Sequence, residues 1–268
     1  NLDFNNLSAI DFVTMGYLFG FQIYFDFSAY SNIAIGSAKL FGINIPENFN
    51  FPYIAKSFKD FWKRWHISLS AWIKDYLYLP LAGVKIKSSS AKEGIGESIY
   101  SNDFKNKKNF ALFLTWIIMG FWHGANWNFA LWGLMHAIFI FFERKINEKF
   151  KKLGVPKFNF LNWFVTLNLV MISWLPFRVN NLNDLKIIIY KFFEFDSFFT
   201  LNLRENIYLI VSLLTISFCI VYFTEVSKNR LLNIIKNNYL TKILFFGFIL
   251  SLTIIFLEVK SQFIYFQF

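Results

Sequence analysis

Three histidines are the residues of this chain best suited to chemistry: His66, His123 and His136, all in or beside apolar segments. His123 lies in Met119-Gly120-Phe121-Trp122-His123-Gly124-Ala125-Asn126-Trp127, inside a run from Phe110 to Phe142 that holds no charged residue. An imidazole exchanges a proton near neutrality and can take one from a hydroxyl while that oxygen attacks an acyl group. A titratable group at membrane depth is costly to bury and marks a functional site. Gly120 and Gly124 suit an interrupted backbone, where free N–H groups and the Asn126 amide can stabilise an oxyanion. The plainer alternative for His123 is a histidine bonded to a carbonyl at a helix break.

His66 falls among Trp62, Leu69 and Ile73, where the alternative is an amphipathic side chain at headgroup level. His136 sits mid-helix, where most such residues bond a neighbouring helix. Asp26, between Tyr24-Phe25 and Phe27-Ser28, is either a proton or cation site or the partner of an Arg or Lys. Ser68 and Ser70 lack the strand-turn-helix elbow of a serine nucleophile. Arg178 reads as a snorkelling interfacial residue.

The elements that must position these groups are set by composition. Of 268 residues, 56% are hydrophobic and only 16% charged, against about 25% charged in soluble domains. The apolar excess is gathered into long blocks, which predicts an all-α, polytopic membrane protein with membrane lipids as its surroundings. The net charge of +10 comes from Lys and Arg clustered in loops, as positive-inside signals and anionic lipid contacts require, which argues against nucleic acid as a partner. Cys219, the single cysteine, forms no intramolecular disulfide, and the Cys/His spacing of a metal site is missing, so no metal is expected.

Phe12 to Phe41 reads as one long helix or two short ones bent at Asp26–Asn32. Pro46, Pro52 and Asn48–Asn50 read as an ordered loop. Ser57 to Tyr78, with Phe58, Phe61, Trp62, Trp65, Leu69, Trp72, Ile73 and Tyr76 at spacings of three and four, predicts one amphipathic helix lying in the interface and ended by Pro80. On this reading the Trp65 ring anchors that helix in the interface. Val84–Asn109 is expected to be a solvent loop, and Phe110–Phe142 two helices meeting at His123–Asn126. Glu143–Lys157 is expected to be a charged connection, followed by spans at Phe160–Phe177, Ile207–Phe223 and Ile243–Leu257. The opening Asn1-Leu2-Asp3 suggests that residues 1–268 form the C-terminal portion of a single membrane domain, with N-terminal helices missing.

Several of these stretches resemble the membrane-bound O-acyltransferase family. They are Tyr24–Gly36, Ile45–Tyr53, Phe61–Leu81, Gly120–Ala125 and Trp132–His136, in the family's order. The closing Gln262–Phe268 is similar to the ending of the bacterial alginate O-acetyltransferase branch. Ala29 and Asn32 stand where the family pattern carries Gly and Asp, and Ala82 where it carries Gly.

The resemblance implies a multi-pass helical bundle of the bacterial inner membrane with re-entrant and interfacial helices. It implies that His123 is the catalytic histidine along a tunnel through the membrane, and that His66 is the second characteristic histidine near its cytoplasmic entrance. Asp26, Asp75, His136, Gly124 and Asn126 are then supporting residues. It further implies a thioester donor such as acetyl-CoA, no bound cofactor, and a separate extracytoplasmic acetyltransferase as partner. The acceptor is an envelope polysaccharide such as alginate or peptidoglycan. Transfer of D-alanine toward teichoic acid is the rival within the family. An acyl conduit or transporter, or a scaffold, is the rival outside it.

Overall fold

The computed structural model describes residues 3–86, 98–100, 104–154, 159–179, 181–227 and 239. A capping box opens the first helix: Ser8 Oγ accepts from Asp11 N at 3.2 Å, and an Asp11 carboxylate oxygen accepts from Ser8 N at 2.9 Å. Helix α1 (Ala9–Leu40) then runs unbroken through the polar Asp26–Asn32 stretch, a length of roughly 48 Å at the α-helical rise. Of the two readings left open by the sequence, the single helix is the one formed. Its first two thirds bury Phe12, Tyr17, Phe19, Phe21, Ile23 and Phe27, whereas Ile33 and Leu40 are exposed.

The Ser57–Tyr78 segment is not one helix. It breaks into α2 (Phe58–Phe61), α3 (Ile67–Ile73), a π-helical turn at Lys74–Tyr78 and α4 (Leu79–Leu81). His66 adopts a left-handed conformation (φ 43°, ψ 56°), which a right-handed helix cannot pass through. The reason lies in the Asn-rich loop before it. Asn50 N donates to Arg64 O at 3.0 Å and Ile67 N to Asn48 O at 2.9 Å, while Ser68 N and Oγ both donate to Asn48 Oδ1. These bonds replace the helical ladder at the break.

The apolar residues of the first half of this segment face protein. Phe58, Phe61 and Trp65 are at most 4% exposed, while Trp72 and Tyr76 are 57% and 70% exposed. Trp65 is therefore a core residue rather than an interfacial anchor. Pro80 sits within α4, directly after the π turn, and does not end it; the helical segment ends just before Gly83 (φ 78°).

The expected Val84–Asn109 loop holds ordered structure at both ends. Strands β1 (Val84–Ile86) and β2 (Ser98–Tyr100) pair antiparallel with Val84 opposite Tyr100, and helix α5 (Phe104–Trp122) begins within it. Helix α6 (Trp127–Lys152) returns antiparallel to α5, so Phe110–Phe142 is a helical hairpin broken at His123–Asn126, as its glycines suggest. The Glu143–Lys152 part of the expected connection is the last turns of α6; clustered charge there marks the polar end of a helix. The hairpin is tight. A Cβ on Gly120 stands 2.2 Å from Phe129 O, and one on Gly133 stands 2.0 Å from Trp116 O, so only glycine allows these backbones to approach so closely.

Helices α7 (Asn159–Ser173), α8 (Leu175–Arg178) and α9 (Leu182–Lys191) follow, then α10 (Glu205–Ser227). Cys219 on α10 is half-buried. Leu7 and Phe12 pack with Leu175, Val179, Leu185 and Ile188, closing the start of α1 against α8 and α9. Asp11, fully buried, also accepts from Asn202 and Tyr208.

Among the described residues, one helical stretch, Asn159–Arg178, is by itself long and apolar enough to cross a membrane, with a mean hydropathy of 1.5. Polar side chains such as Gln22, Asp26 and Asn32 dilute α1, and the break at residue 123 divides the next block. The Ile243–Leu257 span and the closing Gln262–Phe268 motif lie outside the described residues. The chain divides into two units, residues 1–208 and 209–268; every residue of the candidate site belongs to the first.

Candidate active site

The break between α5 and α6 is itself hydrogen-bonded. His123 N donates to Gly120 O at 3.0 Å, Gly124 N to Phe121 O at 3.2 Å and Asn126 N to Gly124 O at 2.9 Å. Asn126 is the N-cap of α6, its side-chain oxygen accepting from Asn128 N at 3.0 Å. Gly124 N, expected to be free for an oxyanion, is thus engaged. What the break presents is the His123 side chain.

That ring sits in an aromatic cage. Its centroid lies 4.9 Å from Trp122, 5.1 Å from Trp132 and 5.0 Å from Phe177, each at a steep interplanar angle. Such edge-to-face pairs are the favoured geometry of aromatic rings. Phe177 is delivered by α8, which is tied to the start of α6 where Asn128 Nδ2 donates to Val179 O at 2.8 Å. Asn128, Trp132 and His136 recur every four residues and so share one face of α6.

His136, without exposed surface, lies deeper on that face. Trp62 Nε1 donates to its Nδ1 at 3.4 Å, and its Nε2 stands 3.1 Å from Ser173 Oγ, which donates to Val170 O at 2.6 Å. Trp116 stacks on the ring at 5.2 Å and Trp132 stands edge-on at 4.8 Å.

The left-handed turn aims His66 against Phe27, ring to ring at 4.8 Å. Its Nδ1 is buried without a hydrogen-bond partner. Trp65, the residue before His66, packs on Trp174, which in turn meets Trp132 and Phe177 of the His123 cage. Asp26 is half-buried beside Phe27, the residue that meets His66. Asp75, in the π turn, faces outward and pairs with Lys74 at 3.5 Å. The fold thus brings His66, His123 and His136 into one region and leaves Asp75 at the periphery. Sequence reasoning did not single out Trp116, Ser173 or Phe177. The four-residue step from Ser173 to Phe177 hints that they share a face, but nothing local links them to α6.

A cavity of about 490 Å³ opens beside this region. Trp62, Trp116 and Met119 wall it, and Lys63 and Arg144 line it, with no Asp or Glu among the described residues of its lining. Thr115 contributes a buried hydroxyl without a partner. A cavity with cations and apolar walls suits a molecule that is anionic at one end and uncharged at the other. Trp62 and Trp116 stand between this cavity and His136.

The profile of the membrane-bound O-acyltransferase family matches residues 7–183, a stretch containing all of these residues. The chain is 40% identical over 166 residues to the peptidoglycan O-acetyltransferase of Helicobacter pylori, covering 62% of this chain and 28% of that protein. It is 41% identical over 162 residues to the probable alginate O-acetylase AlgI of Pseudomonas aeruginosa, covering 60% and 27%. It is 34% identical over 185 residues to the teichoic acid D-alanyltransferase of Streptococcus thermophilus, covering 63% and 41%. The match spans less than half the length of each relative.

Proposed function

Because this chain belongs to the membrane-bound O-acyltransferase family, we propose that the protein transfers an acyl group, acetyl in the first instance, to a hydroxyl at the cell envelope. The observation that carries this reading is His123, an imidazole held at the break of a tight apolar hairpin by three aromatic rings. In the reaction, the acceptor oxygen attacks the thioester carbonyl while His123 takes the hydroxyl proton. The tetrahedral intermediate collapses to the ester, and the departing thiolate recovers the proton from His123. The cation-lined cavity suits a thioester that carries phosphate, such as acetyl-CoA, which binds as substrate and leaves as the thiol; no resident cofactor is needed. His66 faces the same region and serves as a second polar group there. Gly124 and Asn126 shape the break that presents His123, Asn126 as the N-cap of α6, and Asp26 lies on α1 next to Phe27, the residue that meets His66.

The protein acts as a multi-pass protein of the bacterial inner membrane, and residues 1–268 are part of one membrane domain with interfacial and re-entrant helices. The acetyl group passes toward an envelope polysaccharide, peptidoglycan or an alginate-like polymer, by way of an extracytoplasmic acetyltransferase partner. Acetyl transfer is placed before D-alanyl transfer on a narrow margin of identity: 40% and 41% for the two O-acetylating relatives, against 34% and 38% for two teichoic acid D-alanyltransferases.

The test is base-labile acetate on envelope polysaccharides of cells carrying the whole protein, wild type against His123→Ala. The expected loss is ~10²–10⁴-fold at equal membrane abundance, the scale of losing a general base. Unchanged acetate with lost D-alanyl ester selects the rival acyl group. Unchanged levels of both select a conduit.

A further inference from the structure

Acyl transfer through His123 gives His136 no step, yet His136 is the more tightly bound of the two. An indole N–H can only donate, so Trp62 Nε1 at 3.4 Å requires a lone pair on Nδ1. The ring proton is therefore on Nε2, directed at Ser173 Oγ at 3.1 Å. The serine accepts it, because its own hydrogen is given to Val170 O at 2.6 Å. Every hydrogen in this chain of contacts has one place to go, and the ring is a single neutral tautomer. A second proton on Nδ1 breaks the bond from Trp62.

The network joins three parts of the fold: Trp62 in the turn after α2, His136 on α6 and Ser173 at the end of α7. It also fixes a neighbour. Trp132, 1% exposed, has His136 at 4.8 Å, and it meets both His123 at 5.1 Å and Phe177 at 5.0 Å. His136 has no exposed surface through which substrate can reach it, so direct proton transfer is not open to it.

We infer that His136 is a positioning residue: its ring, locked by Trp62 and Ser173, sets the plane of Trp132 and through Trp132 the orientation of His123. This rests on His123 being the base of the acyl transfer. A displacement of about 1 Å at a reacting group is enough to lower a rate ~10²-fold.

The experiment measures transfer from acetyl-CoA in membranes carrying the whole protein, scaled to inserted protein, for His136→Ala, His136→Gln and Ser173→Ala. Glutamine supplies an acceptor and a donor but no titrating proton. The expected result is a kcat lowered ~10²-fold in His136→Ala, partial rescue by His136→Gln, and a smaller fall in Ser173→Ala. The KM for acetyl-CoA is unchanged in all three. If His136→Ala fails to insert, Ser173→Ala carries the test, since it removes one oxygen and leaves the ring.

Nitrogen NMR of labelled histidine, assigned by loss of the signal in His136→Gln, is expected to show the Nε2–H form from pH 5 to 8. A His136→Gln as inactive as His123→Ala assigns proton transfer to His136 and overturns the inference. So does wild-type kcat in Ser173→Ala together with His136→Ala. A wild type that transfers no acyl group overturns the underlying reading of His123, whereas transfer indifferent to His136 overturns the positioning role alone.

Discussion

Trp132 meets His123 edge to face, with ring centroids 5.1 Å apart and planes at 87°. This contact can form only because α5 and α6 approach closely enough for the face of α6 to reach the end of α5. The two glycines of the hairpin set that distance.

Gly133→Ala is therefore expected to disturb the site although position 133 touches no substrate. Its methyl group meets a backbone carbonyl, Trp116 O, at 2.0 Å, and a backbone cannot step aside as a flexible side chain does. The expected destabilisation is about 1–3 kcal/mol, with transfer reduced per inserted molecule. Gly36→Ala is the control: nothing lies within 4 Å of its added methyl group, and helix propensity predicts a gain of about 0.5–1 kcal/mol. Thermal unfolding in detergent reads both, and a lower midpoint for Gly36→Ala contradicts the packing argument.

The cavity between α3, α5 and α6 makes a different forecast. Lys63→Glu or Arg144→Glu places a carboxylate among the cations that line it. Each change is expected to raise the KM for acetyl-CoA by up to about 1 kcal/mol, roughly fivefold, with kcat little affected. Rising salt narrows the difference by screening. A kcat effect at constant KM moves donor binding away from this cavity.

Trp65 and Trp72 separate burial from interfacial anchoring. Trp65 is 3% exposed and packs on Phe49, Phe61 and Trp174, whereas Trp72 is 57% exposed. Trp65→Ala is expected to cost about 3–5 kcal/mol through the cavity it leaves. Trp72→Ala in detergent is expected to stay within about 0.5 kcal/mol. Equal losses in the two variants contradict the burial pattern.

The α5–α6 hairpin and the placement of His123 were legible in the sequence because glycine and asparagine in an apolar run interrupt a helix for local reasons. The position of His136 in the middle of a helix was legible too. The segment around His66 was not. Aromatic residues at helical intervals describe a continuous face, but the left-handed turn is dictated by Asn48 and Asn50, which lie on another loop. Ser173 and Phe177 were hidden for the same reason: their partners on α6 are remote in sequence, and packing across helices leaves no local periodic mark. The charges of Glu143–Lys152 suggested a connection, whereas they decorate the emergent end of α6.

The buried Asp11 ties this fold to the order in which the chain is made. Its bonds to Ser8 form within one helical turn, but Tyr208, which donates to the same carboxylate, lies 197 residues downstream. At about 5–20 residues per second, synthesis leaves that carboxylate without its distant donors for roughly 10–40 seconds. During that interval the Asp11 carboxylate keeps only its local bond from Ser8 N. Arrival of Asn202 and Tyr208 is thus a late closing event that couples the seating of the first helix to emergence of the last helix described.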